Sequence, residues 1–166
     1  LRLKNYSLKQ KILIGKKIKY ICKKYRVKFL INDDPLLALK LDADGCHLGQ
    51  KDMDIRKARK ILGEKIIGIT CHNSLNLAKK AIKANASYIA FGAFYPSKTK
   101  KTKYAASIQI LKRVQKFTKT PIVAIGGINS VNYKNLLLNK ANFLAISSYI
   151  WKNKKYKPLE AIARLK

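Results

Sequence analysis

The sequence predicts an α/β fold built on a parallel sheet, and three observations carry that expectation. Short runs that are apolar on both faces alternate with amphipathic helical runs along nearly all of the 166 residues. No G-x-G-x-x-G follows the first strand, which argues against a doubly wound nucleotide-binding sheet. Polar residues instead close almost every strand: Asn32–Asp33, His47, Thr70–His72, the loop from Pro96, Gly126–Gly127 and Ser147. An open sheet gathers its site at one crevice, whereas a barrel collects every strand end around one mouth. The expectation is therefore a (β/α)8 TIM barrel. Six strands plus a strand end at 1–3 can be counted, so the expected barrel lacks roughly its first one and a half βα units. Residues 1–166 are expected to form one domain, incomplete at its N-terminus.

The elements follow in order. Residues 7–25 place apolar side chains at 8, 12, 14, 18 and 21 among lysines, with Ser7 as N-cap, which predicts an amphipathic helix. VKFLIN (27–32) reads as a buried strand, and Pro35 opens a short helix where its missing amide hydrogen does no harm. The unit then repeats: strand 45–48 and helix 54–62, strand 65–70 and helix 74–84, strand 87–92 and, after a lysine-rich loop, a helix near 104–118. Strand 121–127 precedes helix 130–138, strand 142–147 is the last, and apolar-periodic residues 148–165 close the chain.

Composition narrows the function classes. With 37 Lys plus Arg against 8 Asp plus Glu, the formal net charge is +29, and a 48% hydrophobic content excludes a disordered polycation. The charge suggests nucleic acid, and a basic nucleic-acid-binding module is one alternative. However, lysine far outnumbers the six arginines, the lysines are scattered, and the tyrosines are not interleaved with them on one face. Codon bias explains that pattern better, and no nucleic-acid partner is expected. No apolar run approaches the roughly 20 residues of a membrane span, so no membrane partner is expected either. Three cysteines without C-x-x-C spacing point to reduced thiols and a cytoplasmic location. Sequence says nothing of oligomeric state. The chain starts at Leu1 and its only Met is Met53, as a fragment or a trimmed chain would.

Four features could carry chemistry. AIGGI (124–128) and AISS (145–148) follow the last two strands, where such barrels bind a phosphate through backbone amides. PSKTKKTK (96–103) offers ammonium and hydroxyl donors to a second anion. Six of the eight acids fall within residues 33–54, and Asp33 and Asp52 follow adjacent strands, where both could reach one Mg²⁺. Asp34, Asp42, Asp44 and Asp54 sit where caps and turns are expected. The Cys–His pairs at 46–47 and 71–72 do not suit zinc, because strand alternation sends neighbouring side chains to opposite faces.

Taken in order, I-N-D (31–33), G-C-H-L-G-Q-K-D (45–52), I-G-I-T-C-H (67–72), F-G-A-F-Y-P-S-K-T-K (91–100), V-A-I-G-G-I (123–128) and A-I-S-S (145–148) resemble the thiamine phosphate synthase family. R-L-K at 2–4 resembles the end of its R-x-K element. The resemblance covers essentially the whole chain. It implies a transferase that joins a pyrimidine pyrophosphate to a thiazole phosphate, both small-molecule substrates, with Mg²⁺ as cofactor. Carried over residue by residue, it places Arg2, Lys4 and Lys100 on the pyrophosphate and Asn32 beside the pyrimidine. Asp33 and Asp52 would hold Mg²⁺. Thr70, Ser97 and Thr99 would hydrogen-bond substrate, and Gly127, Ile146 and Ser147 would bind the thiazole phosphate. Thr70 and Ser97 stand where Ser and Thr are usual, exchanges that keep a hydroxyl, and Asp34 replaces a common Arg. The related TenI-like thiazole tautomerases share the barrel and would use His72 as acid–base catalyst. Arg2, Lys4, Asp33, Asp52 and Lys100 favour the synthase, because a tautomerase does not need them.

Overall fold

The computed structural model describes residues 1–96 and 104–165. They fall into two compact units, Leu1–Ile69 with Ala84–Ser87, and Thr70–Lys83 with the described chain from Tyr88 onward. Among the described residues six strands alternate with helices in chain order, and every registered pair is parallel.

In the first unit, α1 (Leu8–Lys24) begins at the expected cap. The Ser7 hydroxyl accepts from Gln10 N–H at 3.3 Å while the Gln10 side chain accepts from Ser7 N–H at 2.9 Å, which satisfies two of the four orphan amides. Lys23 and Lys24 lie in the last turn, where cations suit the helix dipole. β1 (Leu30–Asn32) is shorter than the expected strand 27–32, because Val27 N–H still closes α1 on Cys22 O and its side chain is exposed. Residues 1–3 do not form a full strand, yet Leu1 runs beside β1: Asn32 N–H donates to Leu1 O at 2.9 Å and the Leu1 amino group to Leu30 O at 2.7 Å.

Three further elements of this unit match their expected positions. α2 (Pro35–Lys40) is capped by Asp34, β2 spans Gly45–Leu48, and α3 (Ile55–Leu62) is capped by Asp54. β3 (Ile66–His72) then pairs with β2, His47 against Gly68, while β2 pairs with β1, His47 against Asn32. Ile31, Leu37, Ala38, Leu48, Ala58 and Ile67 are buried between sheet and helices, each large aliphatic contributing roughly 1.5–3 kcal/mol. Arg59 fastens the far end: its guanidinium donates to Gly63 O, to Lys65 O at 2.7 Å and to Asn85 O at 2.8 Å.

The second unit holds α4 (Leu75–Lys83), β4 (Tyr88–Phe91), α5 (Gln109–Gln115), β5 (Ile122–Ile125), α6 (Tyr133–Leu138), β6 (Phe143–Ala145), α7 (Ser148–Trp151) and α8 (Pro158–Ala163). Ile89, Leu111, Val114, Ile122 and Leu136 fill its core. Three helices differ from expectation, each for a local reason. The helix expected near 104–118 starts only at Gln109. Tyr104 O accepts Ala93 N–H, Ala106 N–H donates to Ala93 O, and Ser107 N–H donates to the Asn73 side chain, so 104–107 is held extended. The helix expected from 130 starts at Tyr133, because the Asn129 side chain accepts from Val131 and Asn132 N–H and makes a turn instead. Residues 148–165 split into α7 and α8, because Asn153 takes the amides of Lys155 and Tyr156 and Pro158 restarts the helix.

Candidate active site

The register sets Asn32, His47 and Gly68 abreast, so the residues just beyond them emerge at the same end of the first unit's strands. Asp33 turns there with φ 71° and donates its N–H to His47 O at 2.8 Å. Its carboxylate takes the Asn32 amide on one oxygen and faces Lys4 Nζ at 3.8 Å and Arg2 Nε at 4.0 Å on the other. Asp52, aimed by Gly49 N–H at 2.7 Å, lies close enough to Asp33 for the two carboxylates to interact. Partial burial, and then the neighbouring Asp52 carboxylate, push the Asp33 carboxyl above its ordinary range, with Lys4 and Arg2 pulling it back. Two oxygen donors that repel each other in this way suit a hard cation. Two carboxylates also leave the remaining positions to phosphate oxygens and water, the manner in which Mg²⁺ is usually held.

The other acids have other partners. Asp34 and Asp54 cap helices, as expected. Asp42 bridges Lys19 at 2.9 Å and Lys65 at 2.8 Å, which hold its carboxyl down to about 2, and Asp44 takes Phe29 N–H and Lys28. Burial pushes the Cys46 and Cys71 thiols up to about 12, so neither is a nucleophile. Burial also pushes His47 down to about 4, keeping it neutral, and Asp52 opposes this only in part. Among the described residues no group of three or more His, Cys, Asp and Glu is placed for a metal.

The second unit carries a different kind of site. Pairing of Ile125 with Ala145 sets Gly126–Gly127 and Ile146–Ser147 just past the ends of neighbouring strands. Gly126 (φ 103°) and Gly127 (φ 64°) hold left-handed conformations, and a Cβ on Gly127 would lie 2.4 Å from Pro96 O. Glycine is thus required twice over. Phe94 and Tyr95 N–H donate to Ile125 and Gly126 O, both at 3.1 Å, and the Asn132 amide donates to Gly127 O at 3.1 Å. Thr70 stands half-buried in β3, and the His72 ring stacks on Tyr104 at 3.9 Å.

The motif order across both units has a counterpart among known proteins: the family model described as thiamine monophosphate synthase matches residues 1–150. The chain belongs to the thiamine monophosphate synthase family. The thiamine-phosphate synthase of Pelagibacter ubique is 72% identical over the whole chain, which spans 80% of that protein. That of Persephonella marina is 41% identical over 99% of the chain and 78% of its own length. The solved structure of thiamine phosphate pyrophosphorylase from Pyrococcus furiosus superposes with a TM-score of 0.89 at 30% identity, covering 99% of this chain and 78% of that one.

Within this thiamine monophosphate synthase relative, Arg2, Lys4, Asn32, Asp33 and Asp52 are brought together in the first unit. Gly127, Ile146 and Ser147 meet at adjacent strand ends in the second, and Thr70 lies in that unit too. Ser97, Thr99 and Lys100 lie outside the described residues. Sequence reasoning passed over Tyr95 and Asn132, which brace the glycine turn. The only sequence signal was the N-x-x-N of 129–132, a pattern suited to side-chain-capped turns. No helix among the described residues is long and apolar enough to cross a membrane.

Proposed function

We propose that the chain joins 4-amino-2-methyl-5-hydroxymethylpyrimidine pyrophosphate to thiazole phosphate, giving thiamine phosphate and pyrophosphate. The observation that carries this reading is the cluster of Asp33 and Asp52 with Arg2 and Lys4, a set that suits a metal-bound pyrophosphate. The βα alternation supports the (β/α)8 reading of the fold, and the reaction is one of the cytoplasm. In the reaction the bond between the pyrimidine methylene carbon and the pyrophosphate oxygen breaks, and its electron pair leaves with the pyrophosphate. The thiazole nitrogen then donates its lone pair to that carbon, so no protein nucleophile is required.

The chain's own residues orient and neutralise. Arg2 and Lys4 place positive charge against the departing oxygens, which is worth most where charge develops in the transition state. Asn32, fixed by its bond to Asp33, would read the pyrimidine. Asp33 and Asp52 would hold Mg²⁺, which supplies further charge neutralisation to the leaving group. In the second unit, Gly127, Ile146 and Ser147 offer backbone N–H groups to the thiazole phosphate, and Thr70 offers a hydroxyl. Lys100, Ser97 and Thr99 are assigned to substrate by resemblance.

The test is to supply both substrates with Mg²⁺ and follow pyrophosphate release. Release that depends on both substrates supports the reading. Thiazole tautomerisation without pyrophosphate release overturns it in favour of a His72-based tautomerase.

A further inference from the structure

Each carbonyl entering and crossing the Gly126–Gly127 turn has a donor behind it. Ile125 O takes Phe94 N–H, Gly126 O takes Tyr95 N–H, and Gly127 O takes the Asn132 side-chain amide, all at 3.1 Å. The peptide bonds of this turn are trans, so the C=O and N–H of each plane point in opposite directions. Fixing a carbonyl on one side therefore aims the following N–H to the other. By this geometry Tyr95 sets the direction of the Gly127 N–H, and Asn132 sets that of the Ile128 N–H.

Asn132 is itself over-determined. Its Oδ1 accepts Asn129 N–H at 2.9 Å, its own N–H donates to Asn129 Oδ1 at 3.2 Å, and its carbonyl accepts the Tyr95 hydroxyl at 3.2 Å. Tyr95 thus touches the turn twice, by its backbone on Gly126 and by its hydroxyl on Asn132. Successive amides fixed in left-handed glycine conformations form an anion-binding concavity. The value of such a site depends on the donors being aimed before the ligand arrives.

We propose that Tyr95 and Asn132 are positioning residues that aim the Gly127 and Ile128 N–H groups at the phosphate of the thiazole substrate. This rests on the reading of Gly127 as a phosphate-binding residue. Neither side chain needs to touch substrate. The consequence is a defect confined to one of the two substrates, because the described residues assigned to the pyrimidine pyrophosphate, Arg2 and Lys4, belong to the first unit.

The experiment measures kcat and both KM values for Asn132→Leu, Tyr95→Phe and Gly127→Ala, with thermal unfolding alongside. Asn132→Leu should raise KM for thiazole phosphate about tenfold, as loss of one aimed charge-assisted contact would. KM for the pyrimidine pyrophosphate should stay within about twofold. Tyr95→Phe removes a single hydroxyl and should show a rise of about threefold with its Tm almost unmoved, so it carries the test if Asn132→Leu folds poorly. A lowered Tm with the ratio of the two KM values unchanged would assign the pair a purely structural role and overturn the proposal. If Gly127→Ala leaves KM for thiazole phosphate unaltered, the reading of Gly127 as phosphate-binding itself fails and the positioning role falls with it. An altered Gly127→Ala beside unaltered Tyr95→Phe and Asn132→Leu defeats the positioning role alone.

Discussion

On the proposed function, the two units prepare for anions by opposite means. In the first, full charges sit on part-exposed side chains: Arg2 and Lys4 against Asp33, with Asp52 beside it. In the second, the described groups at the ends of β5 and β6 are backbone amides held by glycine conformations and neutral hydrogen bonds. A charged site can follow a group whose charge changes during reaction, such as a leaving pyrophosphate. A site of backbone amides is rigid and suits a group that only has to be held. The contrast predicts different responses to substitution, pH and salt.

The largest effect should come from the carboxylates. Asp33→Asn or Asp52→Asn should lower kcat by about 10²–10³ with Mg²⁺ present, because charge neutralisation at the leaving group is lost. Stability should respond in the other direction. Asp33 is charged at some cost in the folded state, so Asp33→Asn should leave Tm unchanged or raise it. Mg²⁺ should raise the Tm of the unsubstituted protein and not that of the variant. A variant that loses activity and Tm together would mean that Asp33 is a structural residue.

Gly127→Ala comes next. With φ 64° and Pro96 O 2.4 Å from the added Cβ, the turn must shift, at about 1–3 kcal/mol. The loss should appear as weaker thiazole phosphate binding by about 10- to 100-fold, without change in Mg²⁺ dependence. Calorimetric titration of that substrate checks it. Equal weakening of both substrates would erase the proposed division of labour.

How much of this was legible in sequence depends on where the information lay. Strand–helix alternation follows from local pattern, and every strand was found within a few residues. Asp34 and Asp54 were readable as caps because a cap acts on residues two or three positions away. Asp42 was readable only as a turn residue. Its partners, Lys19 and Lys65, lie 23 positions away on either side, and nothing local marks them among so many lysines. The late start of α5 was hidden for the same reason, since Ala93 and Asn73 hold 104–107 extended from a distance. The candidate site residues were assigned through motif order and spacing, whereas Tyr95 and Asn132 bond to a turn that sequence alone does not orient.

Acid should separate the units further. His47 is held down to about 4 by burial, below the roughly 6.5 of an unfolded histidine. A depressed folded pKa means that its contribution is fully present above about 6.5 and is lost as pH falls toward 4. The loss is on the order of 2–3 kcal/mol. Asp33 runs the other way: its raised carboxyl makes the folded state bind the extra proton, so acid relieves its cost to stability while weakening Mg²⁺ binding. Urea unfolding at pH 7 and pH 4.5 should show a fall that His47→Gln removes. If His47→Gln keeps the same slope, a different group governs acid sensitivity.

The smallest effect belongs to the exposed cations. Arg2 and Lys4 stand 4.0 and 3.8 Å from Asp33, with side chains 48% and 56% exposed, so each pair is worth under about 1 kcal/mol to stability and is screened by salt. On the proposed function their value is to the pyrophosphate rather than to the fold. Lys4→Gln should leave Tm within about a degree and raise KM for the pyrimidine pyrophosphate a few-fold at low ionic strength. That difference should shrink as salt approaches 0.5 M, while KM for the thiazole phosphate, held by amides already aimed, should be the less salt-sensitive of the two. Equal salt dependence for the two substrates would show that the second unit also relies on mobile charge, and that the contrast between the two sites is one of degree.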